Sequence, residues 1–244
     1  MSVPPPPWAP ERKLARPRLS VDAIVAAGLE LLAADGIDAV TMRAVASKVG
    51  TGAASLYAHV RDKGELHVLM LDRVIGEIEC PAADPERWRE QIKDLCRSQH
   101  AALVRHPGIA MVSMAHVATG PNALRYAEGM LAILVAGGLS AATAGLAIDL
   151  LSLYPTAVAF ERSIWNQRPE LADRSVDWVE TAAQLRSYFA SLPTDRFPLL
   201  ASMAAAVTGG GGDTRFEFGL DVLVAGLEAL KDWEPPAELS TARS

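Results

Sequence analysis

Between Thr41 and Lys63 the chain reads TMRAVASKVGTGAASLYAHVRDK, a spacing of small apolar stripes about a central glycine that fits two short helices across a tight turn. Thr41 is a good N-cap, because its hydroxyl can accept from an early backbone N–H, and Val45 and Val49, four residues apart, share one face of the first helix. Gly50 is placed to end that helix, since the residue past a helix end often takes a left-handed backbone, which glycine adopts without a Cβ clash. The second helix is expected from about Gly52 to Val60, held to the core by Leu56 and Val60. Its first turn, Ala53, Ala54 and Ser55, is then free to enter a major groove. Thr51 and Ser55 can contact bases or phosphates. Tyr57, His59 and Lys63 fall on the far half of the helix or just beyond it, where a phenol, an imidazole and an ammonium reach phosphate oxygens. An ordinary helical hairpin with solvated polar groups would show the same pattern, so the flanking sequence has to decide.

Upstream, Ser20 caps a helix whose Ile24, Ala27 and Leu31 recur at three and four residues, and Asp35-Gly36 stops it before Ile37 and Val40 return to the core. The positions Ala27, Leu31, Gly36, Thr41, Arg43, Ala46, Gly50, Ser55, Leu56, Tyr57, His59, Val60, Lys63 and Leu66 together form a pattern across Leu19 to Leu71. That pattern resembles the DNA-binding domain of the tetracycline repressor (TetR) family. The resemblance implies a helix-turn-helix in which Arg43 reaches a guanine, where a guanidinium fork on O6 and N7 is the strongest single base contact. It also marks a departure: Ala53 and Ala54 stand where the tetracycline repressor has a long amide and a proline, and they offer only methyl contacts, so a different operator is expected.

Charge distribution fits this division. The net charge is −6, yet residues 1–63 carry eight Lys or Arg against six Asp or Glu, so the acidity belongs to the remainder. Arg12, Lys13, Arg16 and Arg18 form a basic arm before the first helix, suited to a phosphate backbone or minor groove, or else simply solubilising. Cys80 and Cys96 are the only cysteines and suggest no disulfide framework, which fits a reducing cytoplasm. No signal core or convincing membrane span is read; Leu131 to Ile148 comes closest, but its glycines and alanines and the following Asp149 suit a buried helix better. HExxH, paired Cys-x-x-Cys, GxSxG and Walker loops are missing, and Gly209 to Gly212 reads as a hinge, so neither an enzyme nor a resident metal or cofactor is expected.

The whole chain reads as all-α. Helices are expected at Lys63 to Glu79, Pro85 to Arg105, Gly108 to Val117, Pro121 to Ala136, Ala141 to Asn166, Val176 to Ser191, Phe197 to Val207 and Thr214 to Asp232. This divides the chain into a Pro-rich leader with the basic arm (1–18), a helix-turn-helix domain (19–66), a ligand-binding and dimerisation bundle (67–232) and a tail (233–244).

In the last helix Phe216, Leu220, Leu223, Leu227 and Leu230 follow a four-three spacing, with Gly219 and Gly226 seven apart, where missing side chains admit a close partner helix. By itself this is either a dimer face or a helix packed within its own domain. The stretch Arg215 to Leu230, with Arg196 to Ala201, resembles the ligand-binding domain of the tetracycline repressor's subgroup. In that subgroup this helix and the one matching Ala141 to Asn166 form a four-helix bundle between subunits, which implies a homodimer reading a palindromic operator.

On the long helix, Asp149, Ser152, Thr156 and Ser163 form one polar stripe, facing either a pocket or the dimer interface, and Pro155 predicts a kink. Met111, Met114 and His116 lie on a short segment that forms a pocket wall in the family, and methionines adapt to varied ligands. His100, Tyr126, Met130, Phe160 and Trp165 are further lining candidates, each also able to serve as core. The tetracycline repressor holds magnesium-bound drug with two histidines; counting from Cys80-Pro81, Gly76 stands at the first place, and Val112 to Met114 offer none for the second. A mainly hydrophobic effector with a few hydrogen-bonding groups is therefore expected in place of magnesium-tetracycline. The resulting expectation is a repressor released from its operator by that effector. The alternatives are an activator, a repressor needing a corepressor, or a ligand-binding dimer that has lost specific DNA binding.

Overall fold

The computed structural model describes residues 19–167, 178–231 and 233. The leader, the basic arm, most of the linker from Gln167 to Arg174 and nearly all of the tail lie outside these residues. Among the described residues there are α-helices, one 3-10 turn and no strand.

Helix α1 (Val21–Asp35) begins where the Ser20 hydroxyl accepts from the Ala23 N–H at 3.2 Å, and it buries Ile24, Val25, Ala27 and Leu32. A 3-10 turn (Ile37–Ala39) returns Ile37 and Val40 to the core. Helices α2 (Met42–Lys48) and α3 (Ala53–Leu56) follow, with Met42, Val45, Ala46 and Leu56 buried beneath them. The connecting helix α4 (Lys63–Ile75) starts at Asp62, whose carboxylate accepts from the Glu65 N–H at 2.8 Å while Glu65 reaches back to the Arg61 N–H at 2.6 Å. Two early backbone donors are thereby satisfied, which fixes where the helix begins.

Helix α5 (Trp88–Arg105) buries Trp88, Ile92, Leu95, Cys96, Gln99 and Leu103 at helical spacing and runs along α8 (Ala141–Gln167). Helices α6 (Ile109–Ala115) and α7 (Pro121–Ala136) close the bundle on the side of α4. The helices α9 (Trp178–Ala190), α10 (Pro198–Ser202) and α11 (Ala204–Val207) pack chiefly on one another. Helix α12 (Gly212–Ala229) lies on α5, zipped to it by ion pairs from Arg89 to Glu228, Lys93 to Asp221 (2.7 Å) and Arg97 to Glu217 (2.7 Å). The three cations are four residues apart, so one face of α5 supplies them all.

Several expected boundaries shift. The reading helix ends at Leu56, and Tyr57 to His59 continue as a turn in which His59 and Val60 both donate to the Leu56 carbonyl. Helix α4 stops at Ile75, beyond which Glu77 and Ile78 make tighter i to i−3 bonds, and α5 starts at Trp88 because residues 85–87 form a turn. The segment expected as one helix over Phe197 to Val207 breaks at Met203. Gly212, read as part of a hinge, opens α12.

The stretch Leu131 to Ile148 is not one helix either: a turn at Gly137–Ser140, with Gly138 at φ 92°, divides it between α7 and α8. Among the described residues, the helix apolar and long enough to cross a membrane is instead Ala141–Ile164, which packs against α5, α6, α7 and α12 of the bundle.

Candidate nucleic-acid interface and ligand pocket

The turn between α2 and α3 is closed by backbone geometry. Gly50 has φ 74°, its N–H donates to Ser47 at 3.1 Å, and the Thr51 N–H donates to the Ala46 carbonyl at 2.9 Å. This pair of bonds is the Schellman arrangement, and it needs the left-handed residue that glycine supplies. Thr41 accepts from the Ala44 N–H at 3.1 Å, so its hydroxyl is used in starting α2. With Leu56 and Val60 buried, the opposite face carries Arg43, Gly52, Ala54, Ser55, Tyr57 and His59, all exposed, with Thr51, Ala53 and Lys63 half-buried beside them. No carboxylate of the described residues forms an ion pair with Arg43 or Lys63, so both charges are available to an anionic partner.

A cavity of about 490 Å³ lies in the bundle, within the size range of small-molecule pockets. Leu71, Val74, Ile75 and Ile78 form the wall from α4 and the turns just after it; α5 contributes Gln99, Ala102 and Leu103; α7 contributes Ala123, Tyr126 and Ala127. Residues 113–118 at the end of α6 and Ile148, Asp149, Ser152 and Leu153 of α8 complete it.

Of the expected lining residues, Met114, His116, Tyr126, Asp149 and Ser152 are brought together here. The others are not. Met130 is fully buried core on α7, and Met111 is exposed on the far side of α6. His100 stacks on Phe216 at 4.5 Å between ring centres, and burial, with the nearby Arg162 charge, lowers its pKa despite the opposing charge of Asp213. Phe160 packs half-buried against the core away from the cavity, and the side chain of Trp165 lies outside the described residues.

The polar stripe of α8 splits. Asp149 and Ser152 line the pocket, whereas Thr156 and Ser163 are buried and bond inside the chain, Ser163 to the Phe160 carbonyl at 2.8 Å. Thr156 accepts from Gln99 Nε2 at 3.0 Å and donates to the Ser152 carbonyl at 2.8 Å. Pro155 frees one more acceptor on this helix. Lacking an N–H, it leaves the Leu151 carbonyl without its helical donor, and Cys96 Sγ faces that carbonyl at 3.5 Å. Burial pushes the Cys96 thiol up to about 12, against the opposing Arg97 charge, so it keeps the proton it points there.

Gln99 is the residue that sequence reasoning missed. Its Nε2 also donates to the Ser152 carbonyl at 2.9 Å, and its Oε1 accepts from the Tyr126 hydroxyl at 2.9 Å, tying α5, α7 and α8 together beside the cavity. Burial raises the Tyr126 pKa well above its ordinary value, so the phenol stays a neutral donor. A polar residue at an apolar position of the α5 stripe was the available signal.

The expected dimer stripe is corrected most. Phe216, Leu220 and Leu227 are buried within this chain, on the face of α12 that packs against the bundle, with the ion pairs to α5 along its flank. Gly219 does admit a close neighbour, but it is Tyr154 of the same chain, whose hydroxyl donates to the Arg215 carbonyl at 3.0 Å. Leu223 is half-buried, and Gly226 faces open space. The outward face of α12 instead presents Phe218 (69 % exposed) and Val222 (54 %), and α8 presents Leu146 and Leu150.

Comparison with known proteins agrees with this layout. Residues 24–68 match the family described as bacterial regulatory proteins, tetR family, and residues 80–231 match the tetracyclin repressor-like C-terminal domain. The chain is 32 % identical over 216 residues to the HTH-type transcriptional repressor DrrR1 of Streptomyces coeruleorubidus, spanning 88 % of this chain and 79 % of the relative. It is 33 % identical over 219 residues to an HTH-type transcriptional regulator of Saccharopolyspora erythraea, covering 90 % and 89 %. Among solved structures, apo ActR of Streptomyces coelicolor superposes with a TM-score of 0.79 at 38 % identity over 90 % of this chain and 98 % of its own. ActR has also been solved in complex with actinorhodin, and that structure matches with a TM-score of 0.78 at 39 % identity, covering 87 % and 96 %. The chain therefore belongs to the tetracycline repressor family of ligand-responsive, DNA-binding transcriptional regulators.

Proposed function

We propose that this protein is a cytoplasmic homodimeric repressor, non-enzymatic, that leaves a palindromic operator when a mainly hydrophobic small molecule with a few polar groups occupies the cavity. The observation that carries the reading is that pocket-lining helices also touch the DNA-binding domain. Gly108, which starts α6 at φ 97°, sits so close to the 3-10 turn that a Cβ there would lie 3.0 Å from the Ile37 Cβ. Helix α4 lines the cavity with Leu71 and Val74 and is paired to α1 through Arg73 and Asp22. A ligand that favours one setting of α4 and α6 thereby favours one placement of α3, and release follows from the difference in affinity between the two settings.

On the DNA side, Arg43 reads a guanine, Thr41, Thr51, Gly52, Ala53, Ala54 and Ser55 approach the groove, and Tyr57, His59 and Lys63 bind phosphates. The dimer is formed by the exposed apolar faces of α8 and α12, including Phe218, Val222 and Leu150, which one protomer leaves in water. A repressor is supported by the likeness to DrrR1, and a small-molecule effector by the likeness to ActR, which binds actinorhodin.

The test is footprinting on the DNA flanking the protein's own gene, with sedimentation of the free protein in parallel. Protection of a two-fold symmetric site by a dimer is expected. No protected palindrome, or protection by a monomer, would overturn the reading.

A further inference from the structure

The pocket has a chemical bias. Its polar lining is Gln99, Ser113, His116, Tyr126, Asp149 and Ser152, and no lysine or arginine lines it. Asp149 is its one carboxylate, exposed, and no described cation is paired with it.

Tyr126 adds a second acceptor. The Ser152 carbonyl can only accept, so the Gln99 group facing it is Nε2, which turns Oε1 toward Tyr126 and commits the phenolic proton to that oxygen. The Tyr126 oxygen then has only lone pairs to offer. The domain around the pocket adds to the bias, since residues 64–244 carry 15 Lys or Arg against 23 Asp or Glu.

We infer that the effector is cationic: an amine-bearing molecule whose apolar body fills the cavity against Leu71, Val74, Leu103 and Ile148 while its ammonium pairs with Asp149. This rests on the cavity being the effector site, as proposed above. An apolar body supplies most of the binding through the surface it removes from water, and the charge supplies selection, because an anion of equal shape would meet Asp149 with no lysine or arginine in the lining to offset it.

The experiment uses three probes sharing one skeleton: 2-naphthylmethylamine, 2-naphthylmethanol and 2-naphthoate, titrated calorimetrically into the full chain near neutral pH. The amine is expected to bind roughly three- to tenfold more tightly than the alcohol, with the carboxylate weakest, as suits an ion pair at a partly solvated mouth. Asp149→Asn should bring the amine to the alcohol's level, and Ala118→Trp, which fills the cavity from its rim, should abolish binding of both, with folding checked by circular dichroism. If the alcohol binds in an Ala118→Trp-sensitive manner but the amine is no tighter, or keeps its advantage in Asp149→Asn, the charge inference fails and the pocket reading stands. If binding persists undiminished in Ala118→Trp, or no probe binds at all, the pocket reading fails with it.

Discussion

Asp72 on α4 takes two hydrogen bonds from Asn122 at the start of α7, one from its backbone N–H at 3.1 Å and one from its side-chain amide at 2.9 Å. A third comes from the Ala123 N–H at 2.9 Å. Helix α7 has no capping side chain of its own, as its N-cap is Gly120, so a carboxylate from another helix satisfies its first free donors. Asp72 is buried, and its loss would leave those donors unpaired in the interior. Asp72→Ala should therefore destabilise the fold by about 1–3 kcal/mol, read as a lower urea midpoint. An unchanged midpoint would mean that water replaces the carboxylate.

Just past the C-terminal end of α4, Glu77 accepts from Arg105 at 2.6 Å and His106 at 2.7 Å. Burial pushes the Glu77 carboxyl up, but the hydrogen bonds and charges of Arg105 and His106 outweigh it and leave the pKa below the ordinary 4.5. A carboxyl lowered on folding stabilises the fold above its unfolded pKa, and that contribution disappears as pH falls through the folded value. Glu77→Gln should be less stable than the parent at neutral pH by a few tenths to about 1 kcal/mol, the group being partly solvated. The gap should close on acidification below the carboxylate range; a gap independent of pH in thermal melts would refute the linkage.

For DNA reading, Arg43→Ala should weaken operator binding by about 1–3 kcal/mol and relax preference at one base pair. Lys63→Ala should weaken all sequences alike and lower the salt slope by about one unit. Mobility-shift series over operator variants and salt separate the two; a sequence-blind effect from Arg43 would remove it from base contact.

The proposed dimer face makes its own forecast. Phe218→Glu with Val222→Glu should give monomers in sedimentation, because charges on an apolar contact must be desolvated without partners. Gly226→Leu alone, at a position facing open space, tests whether α12 is also approached there. A double variant that still sediments as a dimer would place the interface elsewhere.

Thr156→Val removes a hydroxyl that serves Gln99 and the Ser152 carbonyl rather than a ligand. A stability loss of about 0.5–1.5 kcal/mol is expected. Gln99→Leu should cost more, since it strands the Tyr126 hydroxyl, and it should also change effector affinity because Gln99 lines the pocket. Urea titration and calorimetry check both; a Gln99→Leu protein as stable as its parent would show that the network is replaceable.

The helix-turn-helix was legible because its signals are local: Thr41, Gly50, Leu56 and Val60 each act on neighbours within a few residues. The face of α12 was not, because two stripes on that helix are apolar and the choice between them is made by which one packs on α5, a helix more than a hundred residues away. The pocket was half legible. Asp149 and Ser152 could be placed on one face of α8, but Thr156, on the same face, is claimed by Gln99 from α5, a pairing that helix periodicity does not encode.

Pro155 has a mechanical consequence. Its missing N–H leaves the Leu151 carbonyl to Cys96, and Gln99 reaches the next carbonyl, that of Ser152; both contacts are made at one axial setting only, and a slip of one helical turn, about 5.4 Å, would carry both donors past their acceptors. The α5–α8 seam thus works like a detent, holding those two helices in a single notch. Between α4 and α6, and where Gly108 meets Ile37, the described contacts are apolar and undirected, with no notch to leave. A molecule too large for the resting cavity finds the α5–α8 walls held in their notch and α4 pinned to α7 by Asp72, so the wall left to glide is α6, which meets the reading domain at Ile37.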